Sequence, residues 1–119
     1  MPQLTLLVLR AKAPNELARL YALFGCSFVE ESHGNGPVHL SSEIGGLVLE
    51  IYPRGEGDPN TGAVRLGFLV ENLEAVLAKA EVIGARLLKS PASSPWGLRA
   101  VIVDSEGHKI ELTEKLESE

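Results

Sequence analysis

The feature that most constrains the fold of this chain is an internal repeat. Each half of the sequence reads as a strand, a helix and then three strands. Residues 3–8 align with residues 65–70 as first strands, and residues 49–51 align with residues 110–112 as last strands. The alignment needs one gap, because the first half has extra residues between its first strand and its helix. A single βαβββ unit of this size buries one sheet face poorly, so the repeat predicts two copies packed together.

The first half, residues 1–53, is predicted to be the first module. Its apolar run at residues 4–9 predicts a strand buried on both faces. Asn15 is predicted to cap the helix that follows, and Gly25 to end it. Three further strands are then expected, at residues 26–31, 38–43 and 47–52.

The second half repeats this order after a segment without periodicity. Residues 54–62, rich in Pro, Gly and Asp, predict a linker, and residues 63–114 form the second predicted module. Its helix is expected to begin at the cap Asn72 and to end at Gly84. The remaining predicted elements are a first strand at 64–70, a strand at 85–88, a loop at 90–95 and a final hairpin with its corner at 104–107.

Composition and charge exclude several classes of protein. The apolar fraction of 45% and charged fraction of 23% are those of an ordinary globular chain of 119 residues, which we treat as one domain. The net charge of −5 argues against nucleic-acid binding. The longest apolar run is too short to cross a membrane, and the start of the chain lacks the pattern of a signal peptide, so a cytoplasmic location is expected. Cys26, the one cysteine, excludes an internal disulfide and a thiolate zinc site.

Aligning the two halves superposes two pairs of polar residues. Gln3 falls over Arg65 in the first strands, and Glu50 falls over Glu111 in the last strands. Two carboxylates and a neutral amide suit a divalent cation such as Mg, Mn, Fe or Ni, but a guanidinium offers only donors and cannot bind a metal. Arg65 can instead lie between both glutamates, or pair with one and hold a substrate carboxylate or phosphate. The alternative explanation for Glu50 and Glu111 is that both are strand residues that face solvent on an open sheet.

Three further residues are candidates for a ligand pocket. Trp96 lies in a loop of small residues and proline, so its indole is expected to fill a cavity, either lining a pocket or covering the edge of the core. The side chain of Arg99 is suited to binding an anion, to pairing with a glutamate or to pointing into solvent. Tyr52 shares a strand face with Glu50 and is predicted to form part of a pocket wall.

The histidines and the cysteine have more than one interpretation. His39 is either a half-exposed strand residue or a base in a pocket, whereas His33 and His108 lie in or beside turns and are expected to face solvent. Cys26 has no neighbouring histidine in the sequence, which favours a buried apolar role over a nucleophilic one.

The repeat and four short motifs resemble the vicinal oxygen chelate superfamily. This superfamily contains glyoxalase I, extradiol dioxygenases, fosfomycin-resistance enzymes and bleomycin-resistance proteins. Residues 20–25, LYALFG, are similar to the FYxxxLG ending of the family's first helix, and residues 104–112, DSEGHKIEL, follow its DPDGxxxEL pattern. Residues 67–73, GFLVENL, and 94–97, SPWG, are also similar to the family. The resemblance covers essentially the whole chain.

This resemblance implies a fold and a set of site positions. The fold is α+β, with two βαβββ modules forming a cupped, mostly antiparallel sheet and helices on its outer face. In metal-using members the ligands come from the first and last strands of each module, and by position these are Gln3, Glu50, Arg65 and Glu111. Arg65 departs from that pattern. The bleomycin-resistance branch has the same fold, needs no metal and sequesters its ligand, usually as a dimer.

The leading hypothesis is therefore a metal-free, cytoplasmic, homodimeric protein that binds a small molecule in the cup between the modules. The residues predicted to line the pocket are Gln3, Glu50, Tyr52, Arg65, Trp96, Arg99 and Glu111. The alternative is an isomerase, lyase or dioxygenase in which Gln3, Glu50 and Glu111 hold Mg, Mn, Fe, Ni or Zn. A structural dimer partner with a vestigial site is a third reading, so the sequence leaves open whether the protein is an enzyme.

Overall fold

The structure, a computed structural model, describes residues 1–115 of the 119. The described chain divides into two compact units, Met1–Thr61 and a second unit that begins at Gly62. Each unit carries one helix and a four-stranded mixed sheet in the order strand, helix and three strands. The predicted α+β architecture of two βαβββ modules is confirmed.

The first module contains five elements, and its first strand lies beside its last. β1 runs parallel to β4, while β3 pairs antiparallel with both β4 and β2, which gives the order β1-β4-β3-β2. The elements are β1 (Leu6–Ala11), α1 (Pro14–Ala22), β2 (Val29–Glu31), β3 (His39–Ile44) and β4 (Leu47–Pro53).

Helix α1 begins without a side-chain cap. Pro14 occupies the first helical turn, where its missing N–H costs nothing, and the cap residue is Ala13. The prediction that Asn15 caps this helix is therefore wrong, because the helix starts one residue earlier. The helix buries one stripe of side chains on the sheet, and Gly25, at a φ of 109°, turns the chain back toward β2. The buried residues of the stripe are Leu17, Leu20 and Tyr21.

The second module repeats the same topology. β5 runs parallel to β8, and β7 pairs antiparallel with both β8 and β6, in the order β5-β8-β7-β6. The elements are β5 (Arg65–Val70), α2 (Leu73–Ile83), β6 (Arg86–Ser94), β7 (Gly97–Val103) and β8 (Lys109–Lys115).

Both ends of helix α2 follow from its sequence. The Oδ1 atom of Asn72 accepts a hydrogen bond from the Ala75 backbone N–H at 3.1 Å, so the predicted N-cap is confirmed. Gly84 ends the helix at a φ of 108°, a conformation that residues with a Cβ rarely adopt. The predicted end is confirmed as well.

Three strands differ from their predictions. β2 begins at Val29 and not at residue 26. β1 begins at Leu6, which is half exposed, and only the face that carries Leu9 and Ala11 is fully buried. It is therefore not a strand buried on both faces. β6 continues to Ser94 through the segment predicted as a loop, and its pairing with β7 shifts between Lys89 and Ala92. Pro91 lies within that shift, where an edge strand tolerates a residue without an N–H.

The predicted linker contains no helix or strand but is bonded to the first module. The Arg10 backbone N–H donates to the Thr61 hydroxyl at 3.1 Å, and the Arg54 backbone N–H donates to the Ala11 carbonyl oxygen at 2.8 Å. Across the described residues 1–115, no helix has the length and apolar character needed to cross a membrane.

Candidate functional site

Arg65 and Glu111 lie together on one face of the second sheet. In the parallel pairing of β5 with β8, Gly67 lies opposite Glu111, and Arg65 precedes Gly67 by two residues on the same face. The Nε atom of Arg65 donates to Glu111 Oε1 at 2.8 Å, and its Nη2 atom lies 2.7 Å from the same oxygen. Gly67 has no side chain to stand between the two residues. The pairing of Arg65 with a glutamate is therefore observed at Glu111.

Arg99 reaches the same carboxylate from the other side. It lies on β7, the strand that pairs antiparallel with β8, and its Nη2 atom contacts Glu111 Oε1. One carboxylate oxygen therefore meets two guanidinium groups. The side chains of Arg65, Arg99 and Glu111 are 46%, 34% and 31% exposed, so all three remain accessible to a solute.

The two arginines keep Glu111 ionised. Partial burial acts to raise the pKa of its carboxyl group. The hydrogen bond from Arg65 and the positive charges of Arg99 and Arg65 act in the opposite direction and outweigh the burial, so the pKa of Glu111 is lowered. The carboxylate is therefore ionised in neutral solution, and it is held between two permanent cations.

The strand register corrects the alignment of the two modules. Glu50 on β4 lies opposite Val8 of β1, and the residue two positions before Val8 is Leu6. Leu6, and not Gln3, is therefore the counterpart of Arg65. Gln3 lies before β1, five positions from the residue that faces Glu50. The alignment of Gln3 with Arg65 is therefore wrong, because the apolar run at the start of the chain concealed a shift of three residues.

Glu50 and Tyr52 meet a histidine in the first module. His39 on β3 is 1% exposed, and its Nε2 atom lies 3.1 Å from Glu50 Oε2. The imidazole stacks on the Tyr52 ring with 4.2 Å between centroids and 8° between planes, while the Arg10 guanidinium lies 5.6 Å from that ring. The half-exposed position considered for His39 is wrong. This residue was not among the predicted pocket residues, and a repeat alignment in the correct register would have indicated it.

Two aromatic side chains lie where the sequence did not predict them. Trp96, in the turn between β6 and β7, is 68% exposed, so its indole does not fill a cavity in this chain. His108 is fully buried, and its Nδ1 atom lies 2.8 Å from Oδ2 of the equally buried Asp104. Asp104 Oδ1 also accepts from the backbone N–H groups of Glu106 and His108. The expectation that His108 faces solvent is wrong, because the corner folds its ring onto this carboxylate.

The predicted site residues therefore form two groups, one in each module. Arg65, Arg99 and Glu111 converge on β5, β7 and β8, whereas Glu50 and Tyr52 meet on β4 beside β3. Gln3 and Trp96 contribute to neither group in the described chain. His33, which was expected in solvent, is 71% exposed in its side chain.

Comparison with known families identifies the class of protein. The sequence profile of the glyoxalase-like domain matches residues 6–113, which is nearly the whole chain. The chain therefore belongs to the glyoxalase-like domain family, within the vicinal oxygen chelate superfamily. A search of curated proteins finds no match.

Solved structures share the same fold at low sequence identity. A glyoxalase-related enzyme from Fulvimarina pelagi is 21% identical, with a TM-score of 0.74 over 97% of this chain and 89% of the other. TnmS3, an antibiotic binding protein from Streptomyces sp. CB03234, is 19% identical, with a TM-score of 0.71 over 98% of both chains. A glyoxalase/bleomycin resistance protein/dioxygenase family enzyme from Burkholderia phytofirmans PsJN is 16% identical, with a TM-score of 0.70 over 97% of this chain and all of the other. At these identities the similarity establishes the fold alone.

The family's metal positions in this chain do not fit a metal ion. With the register corrected, they are Leu6, Glu50, Arg65 and Glu111. Leu6 has no donor atom, and Arg65 has only N–H groups, which it directs at Glu111. Two carboxylates remain out of four ligands, so this set of positions lacks the chemistry that metal-using relatives require.

Proposed function

We propose that this protein binds a small molecule through an anionic group, at the cluster formed by Arg65, Arg99 and Glu111, and that it needs no metal at the family's ligand positions. The observation that carries the proposal is the convergence of two arginines on one oxygen of Glu111. The cluster has two positive charges and one negative charge, so its net charge is positive although the chain as a whole is acidic.

The arginines have donors to spare for a ligand. A guanidinium presents its N–H groups in a planar fork, and a single carboxylate oxygen uses only part of two such forks. The unused edges suit a carboxylate or a phosphate, which can accept two parallel hydrogen bonds from one guanidinium. Since both arginine side chains are partly exposed, a ligand can reach these edges without opening the fold.

Glu111 positions the two cations for this task. An arginine side chain in solution samples many rotamers, and ordering it on binding costs free energy. The contacts with Glu111 hold both guanidinium groups in place before a ligand arrives, and the lowered pKa keeps the carboxylate charged at neutral pH. Glu111 thus acts as a positioning residue.

The surroundings of the cluster offer room for the rest of a ligand. Gly67 leaves an open strand position next to Glu111 on the same sheet face. A shallow pocket of about 160 Å³ adjoins Arg99 and is lined by β6 and β7, including Lys89, Ser90 and Ser94. The antibiotic-binding relative TnmS3 has the same fold and supports small-molecule binding as the function.

Thermal-shift and calorimetric binding measurements test the proposal with matched probes. Benzoate and phenyl phosphate should raise the melting temperature of the protein, whereas the neutral benzamide and the cationic benzamidine should not. Arg65→Ala and Arg99→Ala should each weaken binding of the anionic probes by about tenfold or more, because each removes a charge-assisted bidentate contact.

Lys79→Ala is the control, since it removes one positive charge from an exposed position on α2, away from the cluster. It should bind the anionic probes as the unmodified protein does. Equal stabilisation by benzamide or benzamidine, or equal losses in Lys79→Ala and Arg99→Ala, would show that the cluster does not select anions.

A further inference from the structure

Four potential metal ligands meet at one edge of the first module. Glu31 ends β2, His33 follows in the loop, His39 begins β3, and Glu50 lies on β4. One nitrogen or carboxylate oxygen from each residue lies within 4.8 Å of those of the other three. We propose that these four residues form a binding site for a divalent metal ion of the zinc class.

The first observation that points to a cation is the environment of the Nε2 atom of His39. Its Nε2 atom is buried and makes no hydrogen bond to any described residue, although it faces Glu50 Oε2 at 3.1 Å and Glu31 Oε1 at 3.6 Å. A buried polar atom without a partner costs free energy that a folded protein usually avoids. An ion bound to Nε2 supplies the missing partner.

The tautomer of His39 sharpens this conclusion. Its Nδ1 atom lies 3.3 Å from the Pro37 carbonyl oxygen, which can only accept, so the ring proton belongs on Nδ1. A neutral ring in this tautomer directs the Nε2 lone pair at two carboxylates, which is repulsive. A cation between them converts the repulsion into three attractive contacts.

A proton on Nε2 would also remove the repulsion, but it accounts for less of the geometry. A protonated Nε2 would be expected to form an aligned hydrogen bond with Glu50, and the 3.1 Å contact does not have that alignment. A metal ion would in addition engage His33, whose Nε2 atom lies 3.9 Å from Glu31 Oε1 and whose ring centroid lies 5.3 Å from that of His39.

The distances fit tetrahedral coordination. Zinc binds imidazole nitrogen and carboxylate oxygen at about 2.0–2.1 Å, which places tetrahedral ligand atoms about 3.3 Å apart. Three of the six separations, 3.1, 3.6 and 3.9 Å, lie on either side of this value, and all six lie within 4.8 Å, so rotation of the side chains has to bring the more distant ligand atoms inward. Two imidazoles favour zinc and its first-row neighbours over magnesium and calcium, and two carboxylates neutralise the charge of the ion.

The surroundings of His39 hold its ring in the orientation that ligation requires. Metal-binding histidines commonly donate the other ring N–H to a backbone carbonyl, and Pro37 offers that acceptor. Tyr52 stacks on the ring and fixes its plane. With four protein ligands the site is closed, so its role is to tie β2 and its loop to β3 and β4.

This site is distinct from the metal positions of the family. It lies within one module and draws three of its ligands from β2, the following loop and β3, sharing only Glu50 with the family's set. It does not depend on the anion-binding proposal, which concerns β5, β7 and β8.

Calorimetry on tag-free protein, treated with a chelator and then dialysed, tests the site with ZnCl₂ as the probe. One zinc ion should bind per chain, and saturating zinc should raise the melting temperature by about 5 °C or more. Co²⁺ should give the intense visible absorption bands of a tetrahedral complex, and Mg²⁺ should not bind comparably.

Variants separate ligation from general damage to the fold. His33→Ala changes an exposed side chain and should leave the metal-free melting temperature unchanged while weakening zinc binding by more than about tenfold. Glu31→Gln should do the same, and Glu30→Gln, its neighbour on the exposed part of β2, is the matched control that should bind zinc normally. His39→Gln tests the buried ligand. If His39→Gln fails to fold, His33→Ala still tests the proposal.

Failure to bind one zinc ion per chain would overturn the proposal. Equal zinc affinity in the unmodified protein, His33→Ala and Glu31→Gln would also overturn it, because the metal would then bind elsewhere.

Discussion

His39 and Arg99 occupy equivalent positions in the two modules, and each contacts the glutamate of the neighbouring strand. His39 lies two residues before Ser41, which pairs with Glu50. Arg99 lies two residues before Val101, which pairs with Glu111. The duplicated fold thus places a nitrogen-containing side chain beside a carboxylate at the same position twice. One copy carries a guanidinium, which is a permanent cation, and the other carries an imidazole, so we propose that the two modules bind different ligands.

Replacing Glu111 should destabilise the second module modestly. In Glu111→Gln the guanidinium groups of Arg65 and Arg99 lose the carboxylate between them and repel each other. Because the three side chains are partly exposed, we expect a loss of about 0.5–1 kcal/mol in the free energy of unfolding. Urea denaturation measures it, with Glu30→Gln as a control that removes an exposed carboxylate elsewhere. An unchanged midpoint in Glu111→Gln would mean that the contacts are not maintained in solution.

The same contacts predict a pH dependence. The pKa of Glu111 is lower in the folded protein than its ordinary value of 4.5. A lowered pKa stabilises the fold above the unfolded value, and this stabilisation is lost as the pH falls through the folded value. The difference in unfolding free energy between the unmodified protein and Glu111→Gln should therefore be constant well above pH 4.5 and shrink as the pH falls through this value toward the folded pKa. A difference that grows on acidification would contradict the assignment.

Cys26 should be unreactive in the folded protein. Its side chain is buried, and the burial raises the pKa of the thiol to about 11 from 9.0. Since the thiolate is the nucleophile, a disulfide reagent at mildly alkaline pH should label Cys26 slowly until urea unfolds the chain. The unfolded thiol ionises first, so this residue should also reduce stability as the pH rises from 9.0 toward 11. Rapid labelling without denaturant would contradict the burial.

The repeat pattern predicted the architecture, because helix caps and strand periodicity are local. Asn72 and Gly84 set the ends of α2 through their own chemistry, and the corner at residues 104–107 forms as expected from its Asp and Gly. Strand register is different, since it depends on which residues lie opposite each other. A continuous apolar run has no alternation to fix its register, and Gln3 was therefore matched to Arg65 in place of Leu6.

The site could be predicted only in part for the same reason. Arg65, Arg99 and Glu111 were all indicated by residue type and strand position, and the structure brings them together. The cluster around His39 was missed because its ligands come from a short strand, a loop and two further strands. Their proximity depends on the turn at residues 33–37 and the pairing of β2 with β3, which local patterns do not specify.

Edge strand β6 gives a reason to expect a dimer. Its residues are exposed as far as Ser93, and Leu87 and Leu88 are 50% and 46% exposed, so this edge presents apolar side chains that association would bury. We propose that a second copy of the chain covers this edge. Light scattering coupled to size exclusion should give twice the mass of the chain, and Leu87→Lys should shift it toward the monomer. Val82→Lys, an equally drastic change at an exposed residue of α2, should not. A monomer at all concentrations would disprove the expectation.

Asp104 should contribute more to stability than any of the exposed charges. Its carboxylate is fully buried and accepts hydrogen bonds from the His108 ring and from the backbone N–H groups of Glu106 and His108. Asparagine has the same shape but carries no charge and has only one acceptor oxygen, so Asp104→Asn leaves a buried donor without a partner. We expect the free energy of unfolding to fall by about 3 kcal/mol. Asp58→Asn, which alters an exposed turn carboxylate, should cost less than about 1 kcal/mol in the same urea titration. Equal losses in the two variants would show that the buried corner does not anchor β7 to β8.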